Sequence, residues 1–144
     1  GHAELALDAA TLRGYMKGFI DLVFVHRGRW WIADWKSNHL GYDAAAYARP
    51  ALALAMAEHG YHLQYLLYTV ALHRYLRNRL PDYDYERDVG GCLWLFIRGA
   101  RDAWRSAHGA PGDVPGVFVE RVPLVLVEAL DRLMRAADPQ EAAA

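Results

Sequence analysis

The clearest hydrophobic and polar pattern in the chain runs from Gly18 to Lys36. Gly18-Phe19-Ile20-Asp21-Leu22-Val23-Phe24-Val25-His26 and Arg29-Trp30-Trp31-Ile32-Ala33-Asp34-Trp35-Lys36 are apolar runs rich in β-branched and aromatic residues, separated by Arg27-Gly28. Such runs around a short glycine-containing segment predict a β-hairpin. With Arg27-Gly28 as a two-residue loop, His26 pairs with Arg29, and counting outward along the ladder sets Asp21 opposite Asp34. Directly opposed residues have Cβ atoms roughly 4.5–5.5 Å apart, and like charges there are destabilising. A carboxylate in an apolar strand without a partner costs more still, so the pair calls for a cation. Side chains alternate with period two, which brings Lys36 out on the same face as Asp34.

The rest of the pattern is read in chain order. Ala3 to Leu7 alternates weakly, and Arg13 or Gly14 is expected to open the first long strand. Ser37 to Gly41 is turn chemistry that ends the hairpin. Asp43 to His59 is periodic enough for a helix with Asp43 as N-cap, and Pro50 predicts a break or kink near Arg49. Gly60 ends that helix and Tyr61 to Leu80 forms a longer one, closed by Pro81. Asp82 to Asp88 reads as a polar acidic loop, and Gly91 to Arg98 as a buried strand. Gly99 to Gly116 is expected to be a mobile loop and Val117 to Val119 a short strand. Pro123 to Ala136 is expected to be an amphipathic helix with Pro123 in its first turn. The tail from Asp138 is expected to fray. The order β-β-α-α-β-(β)-α indicates a mixed α/β domain, a central sheet flanked by helices. Residues 1–13 are then a lead-in, 14–136 the core and 137–144 the tail.

Composition narrows the function. The chain has 144 residues, 54% hydrophobic and 23% charged, enough for one globular domain with a real core. No apolar stretch approaches the ~18–20 residues of a spanning helix, and no signal peptide pattern opens the chain. Cys92 is the single cysteine, which fits a reducing cytoplasm and a small buried strand residue. A net charge of −1 argues against gripping nucleic acid by bulk electrostatics, so any DNA affinity must be local or supplied by other parts of a larger protein. The opening Gly-His, without methionine, reads as a cloning remnant on a piece of a longer polypeptide.

Asp21 followed by Asp34-Trp35-Lys36 on adjacent strands resembles the active-site core of the PD-(D/E)xK nuclease superfamily. The wording is closest to its RecB-like nucleases: GFIDLVF, then D-W-KSN with Gly41 soon after, LQYLLYTVALHRYLR, and DYDYE…GG…LFIRG. The specific resemblance runs from Gly14 to Arg98 and more loosely to Met134. It implies a restriction-endonuclease-like fold with the acidic hairpin at the centre of the sheet. It also implies Mg²⁺-dependent hydrolysis of DNA phosphodiester bonds, with Mn²⁺ or Ca²⁺ able to replace Mg²⁺ in binding. The metal ligands would be Asp21, Asp34 and the backbone carbonyl of Trp35, since hard divalent cations take oxygen ligands and few carboxylates. Lys36 would serve the attacking water as general base, or position it and stabilise charge on the phosphate; both roles stay open.

Gln64 and Tyr68 lie at i and i+4 on one helical face and match the Q-x-x-x-Y motif of RecB-like nucleases. They would contact a DNA phosphate or brace the metal site, against the plainer reading of a core tyrosine beside an exposed amide. Arg98, ending the LFIRG strand, is a candidate for phosphate contact. Arg74, Arg77 and Arg79 are better explained as cations at a helix C-terminus, and no histidine shows metal-ligand spacing with another. RecB-like nucleases also carry an earlier helix that gives a histidine to the metal. With only residues 1–13 ahead of the first strand, the resemblance implies a partial domain lacking that helix. His2 or Glu4 would be the possible replacements, and the uncovered apolar sheet face would favour self-association. The implied setting is the bacterial cytoplasm, with DNA and the other subunits of a helicase-nuclease as partners. The rival class is a nuclease-like module kept only for binding; such modules usually lose an acid or the lysine, and all three are present here.

Overall fold

In the computed structural model, which describes residues 18–104 and 114–136, Arg27 and Gly28 both take positive φ, 50° and 75°. That is the signature of a type I′ reversal, whose twist matches the strands it joins. The strands are β1 (Leu22–His26) and β2 (Arg29–Lys36), antiparallel, with His26 opposite Arg29 and Leu22 opposite Ala33. The predicted register therefore holds. The predicted early start of the first strand does not: Gly18 to Ile20 carry no regular structure and Asp21 is a bend. A continued ladder would take the Trp35 N–H onto the Ile20 backbone. The Asp21 carboxylate takes it instead, at 3.0 Å, and the strand starts one residue later.

The long helix expected from Asp43 is divided. Asp43 accepts from Ala46 N–H at 3.0 Å just ahead of a 3₁₀ turn, Ala45–Tyr47, whose N-cap is Ala44. Pro50 then lies in the first turn of α1 (Arg49–Glu58), where its missing N–H costs nothing, so it begins a helix and kinks none. Gly60 takes a left-handed φ of 66° and starts α2 (Tyr61–Arg79). The expected acidic loop contains a single helical turn, α3 (Tyr85–Asp88), capped by Asp84 through Arg87 N–H at 2.8 Å. It is fixed by the buried Tyr85, whose hydroxyl donates to the Val122 carbonyl at 2.6 Å. One turn is too short to show a period.

β3 (Val89–Phe96) runs parallel to β2, and β4 (Val117–Glu120) antiparallel to β3, giving the order β1-β2-β3-β4. Only β2 of the acidic hairpin is interior; β1 is the edge of the described sheet, which corrects the expected central placement. The β2–β3 register slips beside Trp30 and Trp31. Gly90 sits at that slip, and a Cβ there would meet the Trp31 ring at 2.1 Å, so only glycine fits. Ile32, Trp94 and Phe96 of the sheet pack with Tyr47, Leu52, Met56 and Leu76, each at most 1% exposed. Full burial of a large apolar side chain is worth about 1.5–3 kcal/mol, so this layer fixes α1 and α2 against the sheet. Cys92 is part of it, with burial pushing its thiol up to about 12.

The closing helix, α4 (Leu124–Ala136), buries Val127 and Leu130 and docks on α2 through Asp131. Arg74 binds that carboxylate directly, Arg135 at 3.2 Å and Arg77 at 3.7 Å. Arg74 and Arg77 are thus engaged within the fold, by a carboxylate of α4 rather than by the end of their own helix. The lead-in with His2 and Glu4, the expected strand start before Gly18, residues 105–113 of the expected mobile loop and the expected frayed tail lie outside the described residues.

Candidate active site

The interior position of β2 removes Asp34 and Lys36 from water: they are 3% and 9% exposed, while Trp35 between them faces the other way and is 45% exposed. An exposed strand-end acid and a solvent-facing lysine, the plain alternatives for these two positions, are both ruled out. Lys36 Nζ lies 2.5 Å from Asp34 Oδ2 and donates to Gln64 Oε1 at 2.8 Å. Gln64 Nε2 donates to the Tyr68 hydroxyl at 2.8 Å and approaches Asp34 Oδ1 at 3.5 Å. Tyr68 in turn donates to the Phe19 carbonyl at 2.5 Å. The i, i+4 pair on α2 therefore joins the acid–lysine pair on β2 to the segment that carries Asp21. Tyr68 is buried, and its hydroxyl faces the site.

Asp21 is exposed, one step beyond the last ladder pair. Its Oδ2 accepts the Trp35 N–H at 3.0 Å, so its carboxylate is tied to the backbone between Asp34 and Lys36. The expected buried, directly paired acid is corrected to an acid at the solvent side of the strand. Asp34 feels it nonetheless. Burial raises the Asp34 carboxyl above the ordinary carboxylate range; the hydrogen bond and charge of Lys36 oppose the rise, and the Asp21 charge adds to it. Lys36 supplies one positive charge to a site that holds two carboxylates. Among the described residues no group of three or more His, Cys, Asp and Glu comes together. A two-carboxylate set fits a hard divalent cation that keeps waters and substrate oxygens as its other ligands, and it does not fit a closed structural zinc site.

A cavity of about 760 Å³ opens beside Lys36, Gln64 and Tyr68, which line it with Gly18, Ile20 and Tyr61 among others; neither Asp21 nor Asp34 lines it. Arg98 lies past the end of β3, exposed, and its Nε donates to the Ser37 carbonyl at 2.8 Å. That bond sets it beside the loop leaving β2, outside the hydrogen-bonded network of Asp34, Lys36 and Gln64. Sequence reasoning passed over Tyr61, whose ring lies under the Lys36 ammonium, 4.0 Å from nitrogen to centroid. The signal was its spacing: 61, 64 and 68 lie on one helical face.

A family model of the PD-(D/E)XK nuclease superfamily matches residues 2–142. The chain belongs to the PD-(D/E)XK nuclease superfamily. Asp34-Trp35-Lys36 spells the acid-x-Lys string of that superfamily's name. Relatives agree. The chain is 58% identical over 93 residues to RecBCD enzyme subunit RecB of Escherichia coli, a stretch covering 65% of this chain and 8% of that one. It is 43% identical over 126 residues to the RecB subunit of Haemophilus influenzae, covering 88% and 10%. It is 45% identical over 129 residues to that of Mycobacterium tuberculosis, covering 89% and 12%. The chain thus spans about a tenth of the length of the curated relatives it matches. The mixed four-stranded sheet with flanking helices is the α/β architecture expected for this superfamily member.

Proposed function

We propose that this chain is the nuclease part of a RecB-like helicase-nuclease and hydrolyses DNA phosphodiester bonds with Mg²⁺. The observation that carries the reading is the buried Asp34–Lys36 pair, held by Gln64, with Asp21 fixed on the Trp35 N–H beside it. Asp21, Asp34 and the Trp35 carbonyl would hold the ion, with Mn²⁺ or Ca²⁺ able to take its place in binding. Bound there, a divalent cation neutralises charge on the phosphoryl oxygens and makes water a better nucleophile. Lys36 presents a fixed ammonium at the same point and stabilises charge that develops on the phosphate. Gln64 keeps that ammonium in place, and Tyr68 keeps Gln64 in place and anchors the Asp21 segment through Phe19. Arg98, on the rim, offers a contact for a neighbouring phosphate. The substrate in this reading is DNA unwound by a motor elsewhere in the longer protein, with the other RecBCD-type subunits as partners. Its setting is double-strand break repair in the bacterial cytoplasm; no helix among the described residues is long and apolar enough to cross a membrane.

The test uses the full parent protein. Asp34→Ala should abolish DNA cleavage and Lys36→Ala should cut it to a small but measurable residual rate, while ATP-driven unwinding continues, with melting curves checking that the domain stays folded. Cleavage at the parental rate by Lys36→Ala would sink the assignment.

A further inference from the structure

Lys36 has a third neighbour besides Asp34 and Gln64. Its ammonium sits 4.0 Å from the centroid of the Tyr61 ring, and a cation over an aromatic face is attracted by the ring's negative π density. The ring is itself held. Its hydroxyl donates to Asn38 Oδ1 at 3.1 Å, the His59 ring stacks on it at 5.4 Å, and Phe96 lies 6.5 Å away. Gly60, in its left-handed turn, starts α2 so that Tyr61, Gln64 and Tyr68 descend one face toward β2. Asn38 belongs to the loop that follows Lys36, so the Tyr61 hydroxyl ties the helix start to the chain just beyond the lysine.

We infer that Tyr61 is a positioning residue for Lys36: its ring face, together with Gln64, fixes the ammonium at its working point in the nuclease site. A four-carbon stem with free rotation gives a lysine no such position by itself. Gln64 supplies one directed acceptor, and Asp34 supplies charge that any ligand on its oxygens would share. The ring limits the remaining freedom without competing for either acid.

The inference rests on the nuclease reading, and the experiment separates the two. In the full protein, DNA cleavage is measured across DNA concentrations for Tyr61→Leu, Tyr61→Met and Tyr61→Phe, alone and with Lys36→Ala. Methionine fills the volume without a ring, so it serves if the leucine variant melts early. Tyr61→Leu and Tyr61→Met should lower kcat by about tenfold to a hundredfold, the scale of a misplaced group, with KM for DNA unchanged. Tyr61→Phe keeps the ring and should restore nearly all of that loss. In the Lys36→Ala background the ring-deleting variants should cause no further loss. Acylation of the Lys36 amine, read by peptide mass spectrometry, should be faster in Tyr61→Leu and Tyr61→Met than in Tyr61→Phe or the parent. Parental kcat in folded ring-deleting variants would overturn the inference. So would a change confined to KM, the mark of a ring that stacks on DNA, or losses that add to Lys36→Ala. If Lys36→Ala itself cuts DNA normally, the nuclease reading fails first and for its own reason.

Discussion

Asp34 is held between opposing influences: burial raises its carboxyl, Lys36 pulls it down and Asp21 pushes it up again. A folded-state value above the unfolded one means that this group's contribution to stability is full below the ordinary carboxylate range. It is lost as pH rises through the folded value. At neutral pH the acid is therefore a strain on the fold, and Asp21 is part of the cause. Asp21→Asn should raise the melting temperature of the metal-free protein, because the amide oxygen can still accept the Trp35 N–H while the repulsion on Asp34 is gone. The gain belongs at the low end of the roughly 0.2–1 kcal/mol of a cross-strand pair, since Asp21 is exposed and its charge is screened. A marked drop in melting temperature would mean that the Asp21 charge is paired within the fold. Asp34 and Lys36 were legible in the sequence because an acid and an amine inside an apolar strand violate its pattern. Tyr61 was far less so: an aromatic residue at the start of an apolar helix violates nothing, its spacing with Gln64 and Tyr68 was the one sign, and its role comes from a strand far away in sequence.

Among the elements, α4 depends on one carboxylate. Burial works against the Asp131 charge, but the hydrogen bond and charge of Arg74, with help from Arg135, outweigh it and hold the carboxyl below its ordinary range. Asp131→Ala should destabilise the domain by on the order of 2 kcal/mol, less than a fully buried pair because the arginines keep much of their water. Denaturant titration would measure it; a loss within error would mean that Val127 and Leu130 alone hold the helix. The hairpin, α2, β3, β4 and α4 could each be read from period and punctuation. The division at Pro50 was visible, but its consequence was not: whether a proline kinks a helix or begins one depends on where the helix starts. α3 escaped altogether, because its single turn owes its existence to Tyr85 reaching Val122, which lies just past β4 and far away in sequence.

For the molecule as a whole, acid is the weak side. His73 is buried with its Nδ1 2.9 Å from the Tyr83 hydroxyl, and burial, followed by the Arg77 charge, lowers its value. The unfolded chain then takes up the proton first, so stability falls as pH drops below about 6.5, the ordinary histidine value. Asp131 and Asp88, both held below the carboxylate range, add their losses at lower pH as they are protonated. Urea midpoints between pH 7 and 5 should fall for the parent and stay flatter for His73→Phe; equal slopes would remove His73 from the account. The parallel pairing of β2 with β3 has a different kind of consequence, for the order of events at the ribosome. Asp21, Asp34 and Lys36 emerge early and can form their hairpin at once, since its contacts are local. The other flank of β2 stays open until the chain between Lys36 and Val89, including the helix that bears Tyr61 and Gln64, has been made and folded back. Contacts so far apart in sequence close late. A nascent chain stopped before β3 would hold both acids and the lysine of the candidate site yet lack the strand that completes it, and on the proposed function DNA near the translating ribosome would meet no cutting activity until synthesis had passed that strand.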